Sequence, residues 1–271
     1  MPVKAVTFLR KMRGGAQAHL LEAGDGHSYV VKFRNNPQHR RILVNEWVSS
    51  VFLRFLQISA PATAMIEVTA DFLAANPEVG MQLGSRQVPV EPGWHFGSRF
   101  PGHPSRTAVY DFLPDALLGR VVNLPEFLGI YVFDKWMANA DARQTIFYRA
   151  RLEGRGKPDA AGFVAQMVDH GYVFDGPHWS FVDSPLQGLY FRPLVYEKVR
   201  SLDDFQPWLD RIANFPEEVV DEAYRELPLA WLNGDRDEAG HPLERLMARC
   251  KRIGSLVELG RQSRARSFPN W

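Results

Sequence analysis

Val132-Phe133-Asp134-Lys135-Trp136-Met137-Ala138-Asn139-Ala140-Asp141-Ala142-Arg143-Gln144-Thr145-Ile146-Phe147 runs from one apolar segment through a polar turn into a second. Polar residues set between two apolar elements are often there for function, although Asn139 or Asp141 could simply end a helix. Leu124–Ala138 is apolar on nearly every side, which predicts a buried helix. Ile146–Ala150 and Gly162–Val168 predict two strands of a hairpin, joined by the charged, glycine-bearing Arg151–Asp159. The second strand ends in Val168-Asp169-His170-Gly171-Tyr172. An aspartate at a strand end followed by glycine is ordinary turn chemistry, and it is also a way to present a carboxylate to a metal. Asp169 follows Asp141 across one hairpin, so both carboxylates can converge on one site.

Upstream, the chain reads as strands followed by one helix. Val3–Leu9, Ala18–Glu22 and Ser28–Phe33 are strand candidates, and Gly24-Asp25-Gly26 is a hairpin signal between the last two. The turn Arg13-Gly14-Gly15-Ala16-Gln17 separates the first two. Its glycines would let backbone N–H groups approach phosphate oxygens, or would serve a plain hairpin. Tyr29-Val30-Val31-Lys32-Phe33 places a lysine at a strand end. Turned inward, it would need a phosphate or a carboxylate beside it. From His39 to Leu56, apolar residues recur at helical spacing, with Glu46 the one acidic residue among them. Thr63–Val68 is a further strand, whereas Asp71–Pro104 is rich in proline and glycine and is expected to hold a connector, with Trp94–Ser98 as its hinge. Beyond the hairpin, Asp203–Ala213, Glu217–Leu227 and Pro242–Gly260 are amphipathic helices. An antiparallel sheet with one helix, then a mostly helical half with one hairpin, is an α+β arrangement.

The bulk numbers bound the function classes. The chain has 271 residues, 45% hydrophobic and 23% charged, enough for one large domain or two lobes about a cleft. With a net charge of +1, no global field points to nucleic acid or membrane. The basic clusters His39-Arg40-Arg41 and Arg261–Arg266 are short and read as solvated surface. Cys250 is alone, so neither a disulfide framework nor a cysteine-based zinc site can form. No signal peptide or spanning segment is recognised, and a cytoplasmic location is expected. There is no HExxH, GxSxG, Walker loop or dinucleotide GxGxxG motif, and the eight histidines lack metal-ligand spacing. His95 and His103 read as structural or exposed. His170 is expected to pack beneath Asp169.

Taken together, these residues resemble the HipA-like kinases, a bacterial branch of the protein-kinase-like fold. The resemblance rests on Gly14-Gly15-Ala16-Gln17, Tyr29–Phe33, Asn45-Glu46, Phe133-Asp134 through Asn139-Ala140-Asp141, and Val168–Gly171, and it spans the chain from about residue 5 onward. It implies a two-lobed fold, with residues 1–100 as a nucleotide-binding lobe and residues 101–271 as a helical lobe carrying the catalytic and metal loops. It implies ATP and Mg2+ as cofactors, and transfer of the γ-phosphate to a hydroxyl of a protein serine or threonine, or of a small molecule. Carried over by position, Lys32 is the phosphate-binding lysine and Glu46 its partner. Gly14, Gly15 and Ala16 line the phosphate loop, Asp141 orients the acceptor hydroxyl, and Asp169 binds the metal.

One departure stands out. The family pattern places a metal-ligating asparagine five residues beyond the catalytic aspartate, and this chain has Ile146 there. Gln144 is the nearest polar substitute through its side-chain carbonyl. A nucleotide-binding pseudokinase acting as an interaction module is therefore the alternative. Nothing matches the extra N-terminal segment of the HipA toxins, so the resemblance does not extend to toxin activity or to a DNA-binding antitoxin. The glycine turn holds no serine or threonine, so self-phosphorylation there is not supported.

Overall fold

β-Branched and aromatic residues in the first hundred positions form a closed sheet. In the computed structural model, which describes residues 1–151, 161–232, 234–263 and 267–271, β1 (Val3–Lys11), β2 (His19–Ala23) and β3 (Ser28–Lys32) make an antiparallel meander. α1 (Arg41–Leu56) and β4 (Thr63–Val68) follow. Then come a short helix, α2 (Ala70–Ala75), a small hairpin of β5 (Gly80–Leu83) and β6 (Arg86–Pro89), and β7 (Gly93–Arg99). β7 inserts between β3 and β4, and β4 pairs in parallel with β1 through Val3↔Ile66 and Lys4↔Glu67. The order β1-β2-β3-β7-β4 is a closed barrel with one parallel pairing, where the sequence predicts an antiparallel sheet.

Residues 71–104 therefore depart from expectation. Trp94–Ser98, where the hinge is expected, is the middle of β7. Its alternation is masked because β7 has a core on each side. Phe96 packs with α1 and the helical half, whereas the neighbouring Val31, Ile66 and Val68 fill the barrel. Strands covered on both faces lose the in–out pattern that marks them in a sequence. His95 is fully buried. It accepts from the Arg34 backbone N–H at 3.0 Å and donates to the Glu91 carbonyl at 3.0 Å, and burial lowers its pKa to about 3. It is a structural histidine.

α1 ends where Gln57 turns left-handed, at φ 57°. It is buried around most of its circumference, between the barrel and the helical half. The second half opens with β8 (Val109–Tyr110) and α3 (Asp115–Leu118), followed by α4 (Glu126–Trp136). α4 is covered on nearly all sides, as its composition predicts. β9 (Gln144–Arg151) and β10 (Ala161–Val168) form the expected hairpin, in a sheet ordered β10-β9-β8. Of their linker, residues 152–160 lie outside the described residues, as do 264–266 of the basic tail. The remaining helices are α5 (Trp208–Ala213), α6 (Glu217–Arg225), α7 (Leu229–Leu232), α8 (Arg236–Cys250) and α9 (Ile253–Ser263). Two expected helices are each split. Residues 202–205 form a 3-10 turn before Pro207. The stretch expected as Pro242–Gly260 is α8, with Pro242 inside it, followed by α9. No helix among the described residues is long and apolar enough to cross a membrane.

Gly97 sits where β7 packs tightly against side chains of β4 and β3. A Cβ there would come within 2.5 Å of Ile66 Cγ1 and 3.3 Å of Tyr29 Cβ. Gly97→Ala is expected to lower stability by about 1–3 kcal/mol through overpacking, read as a shifted midpoint in urea unfolding.

Candidate functional site

The site begins with the inward turn of Lys32 at the end of β3. Its ammonium is buried and donates to two carboxylates, Glu46 Oε1 on α1 and Asp169 Oδ1 just beyond β10, the latter at 2.6 Å. Burial pulls the Lys32 pKa down, but the two carboxylates outweigh it and the net shift is upward, so the side chain stays charged. The Lys32 charge holds the Asp169 carboxyl below the usual range, against the opposing effect of burial. Three elements distant in sequence thus meet at one ammonium.

Lys32, Glu46 and Asp169 line a cavity of about 560 Å³. Gly14, Gly15 and Ala16 line it too, and Val30, Phe96, Ile146 and Met167 supply apolar wall. Gly14 needs its glycine, since its φ is 122°. The turn is tied down by Gln17, whose side-chain amide pairs with both backbone groups of Gln82 on β5, at 2.6 and 2.7 Å. Gln38 lies over Gly15, and its amide donates to the Tyr172 hydroxyl at 3.4 Å.

Gln144 and Ile146 both line the cavity, being two apart on β9, so strand alternation does aim Gln144 into it. Gln144 is paired across the ladder with Val168, immediately before Asp169. Asp141 does not line the cavity. It sits at the edge, where Gln144 Nε2 donates to its Oδ2 at 3.3 Å and its Oδ1 accepts from the Ala142 N–H at 2.8 Å. Asp111 lines the cavity and has no counterpart among the residues expected from the sequence.

Backbone bonds bring the two aspartate loops together. Ala140 N donates to Tyr172 O at 2.9 Å, Phe174 N to Met137 O at 2.7 Å, and Asp175 N to Ala138 O at 3.1 Å. Beneath them lies a buried network that sequence reasoning missed. Arg143 forks onto Asp134, with Nε to Oδ2 at 2.7 Å and Nη2 to Oδ1. Its Nη1 donates to the Val168 carbonyl at 2.8 Å and to His170 Nδ1 at 3.2 Å. Burial pushes the His170 pKa well down. The neutral ring then donates from Nε2 to the Met167 carbonyl at 3.1 Å and accepts at Nδ1. Asn139 completes the network by donating to Asp134 at 2.9 Å. One signal was available: Asp134 falls on a helix apolar on nearly every side, and a buried carboxylate requires a cation.

The donor set suits a hard cation. The Asp169 carboxylate and the Gln144 amide carbonyl are oxygen ligands, and magnesium is commonly held by one or two carboxylates, with phosphate and water completing its shell. No cluster of three or more His, Cys, Asp or Glu ligands exists among the described residues, so no all-protein metal cage is built.

The fold is protein-kinase-like. The chain is similar to a structure described as the Golgi casein kinase with Mn/ADP bound, at a TM-score of 0.51 and 11% identity, over 96% of this chain and 72% of that one. A second Golgi casein kinase structure gives a TM-score of 0.48 at 11% identity, over 97% of this chain and 72% of that one. The HipA-like kinase family matches residues 5–149, more than half of the chain, and the protein belongs to that family. The match takes in Lys32, Glu46, Asp141 and Gln144, while Asp169 lies beyond it. No curated protein matches the sequence.

The depressed pKa of Asp169 gives a signed expectation. Its pairing with Lys32 contributes stability that is complete above the ordinary carboxylate pKa and is lost as pH falls through the lower folded value. Asp169→Asn removes that titration. Melting temperature plotted against pH should fall less steeply with acid in the variant, and the two curves should converge at low pH.

Proposed function

We propose that the protein is an ATP-dependent phosphotransferase resembling the HipA-like Ser/Thr kinases, acting with magnesium in a cytoplasmic setting. In this reading, residues 1–100 form the nucleotide-binding lobe and residues 101–271 the lobe carrying the catalytic and metal loops. The observation that carries it is the charged Lys32, buried between Glu46 and Asp169 in the wall of a cavity that the glycine turn also lines. Phosphoryl transfer depends mainly on positioning and charge neutralisation, and such a site supplies both. Support also comes from family membership and from a fold shared with a kinase whose structure contains Mn/ADP.

Each residue then has a role. Gly14, Gly15 and Ala16 offer backbone N–H groups to phosphate oxygens, and Lys32 neutralises phosphate charge while Glu46 holds it in place. Asp169 and Gln144 would hold Mg2+, whose contribution there would be charge neutralisation at the phosphates. Asp141 orients the acceptor hydroxyl and accepts its proton as the new O–P bond forms and the bond to the departing ADP breaks. The acceptor is a protein serine or threonine, or a small-molecule hydroxyl.

Ile146 favours a second reading, a pseudokinase that binds nucleotide without transfer and serves as an interaction module. Its side chain lines the cavity and cannot ligate a metal. The two readings separate in one experiment. In both, Mg·ATP raises the melting temperature of the wild type, corresponding to about 2.7 kcal/mol at about 100 times Kd. Lys32→Ala abolishes this shift in both. A wild type unmoved by millimolar Mg·ATP would remove both. For the kinase reading, Asp141→Asn is expected to keep the thermal shift and lower the phosphorylation rate about 10²–10⁴-fold. Full transfer in that variant would take Asp141 out of its role, and binding without transfer in the wild type would leave the pseudokinase.

A further inference from the structure

Asn45 precedes Glu46 on α1 and is fully buried. Its Nδ2 lies 2.6 Å from the Gly171 carbonyl, 3.0 Å from that of Val173 and 3.1 Å from that of Gly176. Its Oδ1 accepts from Trp179 Nε1 at 2.9 Å. An amide has two N–H donors, so this side chain is saturated by the segment that follows Asp169. One helical turn earlier, Arg41 donates to the Pro177 carbonyl at 3.1 Å, and its guanidinium lies 4.2 Å from the centre of the Trp179 ring. Gly171 is pressed so closely against α1 that a Cβ would come within 2.5 Å of Ile42 Cγ2.

The segment held this way is strained. Asp169, Phe174, Asp175, Trp179 and Phe181 all have φ between 54° and 67°. Left-handed backbone at non-glycine residues costs on the order of 1–3 kcal/mol each, and it persists only where the surroundings over-determine it. Asn45 supplies that constraint from inside the protein, at the residue adjoining the partner of Lys32.

We infer that Asn45 is a positioning residue for the metal. It holds the segment bearing Asp169 in its ion-binding conformation against the Lys32–Glu46 pair, by contacts internal to the chain. The inference rests on the nucleotide-binding reading above and assigns a determinant of its magnesium dependence.

The test is calorimetric titration of the full chain with ATP, once with Mg2+ and once with EDTA. Asn45→Asp keeps the shape and the acceptor for Trp179 but removes both donors. Its magnesium-dependent gain in affinity should fall about 10- to 100-fold, as for other residues that orient metal ligands, with ATP–EDTA affinity unchanged. Lys32→Ala, by contrast, should weaken both. Trp179→Phe removes the indole N–H together with part of the ring beneath Arg41, and it should reduce the magnesium-dependent gain in the same direction. A folded Asn45→Asp protein that keeps the full gain, or loses both affinities in equal proportion, overturns the inference. Should Asn45→Asp fail to fold, an undiminished gain in Trp179→Phe overturns it. A wild type that binds ATP in neither condition overturns the nucleotide reading and the inference together, whereas binding in the wild type with indifferent variants overturns the inference alone.

Discussion

A single ammonium group organises this protein. Lys32 has left water, and a desolvated cation is tolerable only if carboxylates surround it. Glu46 comes from α1 and Asp169 from the end of β10, so burying Lys32 fixes the barrel, the helix and the hairpin against one another. Two carboxylates on one ammonium leave the cluster with an excess negative charge. That excess is what a divalent cation can neutralise, and Lys32 is then available to phosphate oxygens. The same pairs that stabilise the fold thus leave a charge pattern suited to a metal–polyphosphate.

Below this cluster, the Asp134–Arg143 pair acts as a floor. Both side chains are fully buried, and the guanidinium divides its donors among Asp134, the Val168 carbonyl and His170. Replacing such a pair by apolar side chains often costs nothing in stability, so its value lies elsewhere. Here it fixes the strand end that delivers Asp169 and, through Asn139, the loop that carries Asp141. His170 contributes as a neutral ring in a dry position rather than as an acid or a base.

Much of this was legible in the sequence because it is local. Strand and helix positions around Lys32, Glu46 and the β9–β10 hairpin follow from periodicity and turn chemistry, and the order of the charged residues suggests their convergence. The HipA-like resemblance is shown by the family match. What escaped was non-local. β7 was hidden by proline, glycine and two-sided burial, and with it went the closure of the sheet. The parallel pairing of β1 with β4 has no signature in either strand. The Asp134–Arg143 pair was implied by a carboxylate in an apolar helix but required the fold to name its cation. Asn45 carries part of the resemblance, but its role was hidden because its partners are backbone carbonyls more than 120 positions away, and carbonyls carry no sequence identity.

Closure of the barrel has a consequence for association. An open sheet offers its outer strands to strangers, and many regulatory partners bind by donating a strand of their own to such an edge. In this barrel every strand already has a neighbour on each side. Within the barrel, a partner strand finds free edge only along the part of β1 beyond Lys4, because β1 meets β4 through Val3 and Lys4. Elsewhere on the barrel a partner must recognise side chains and shape, and accidental edge-to-edge polymerisation is suppressed there by the same geometry.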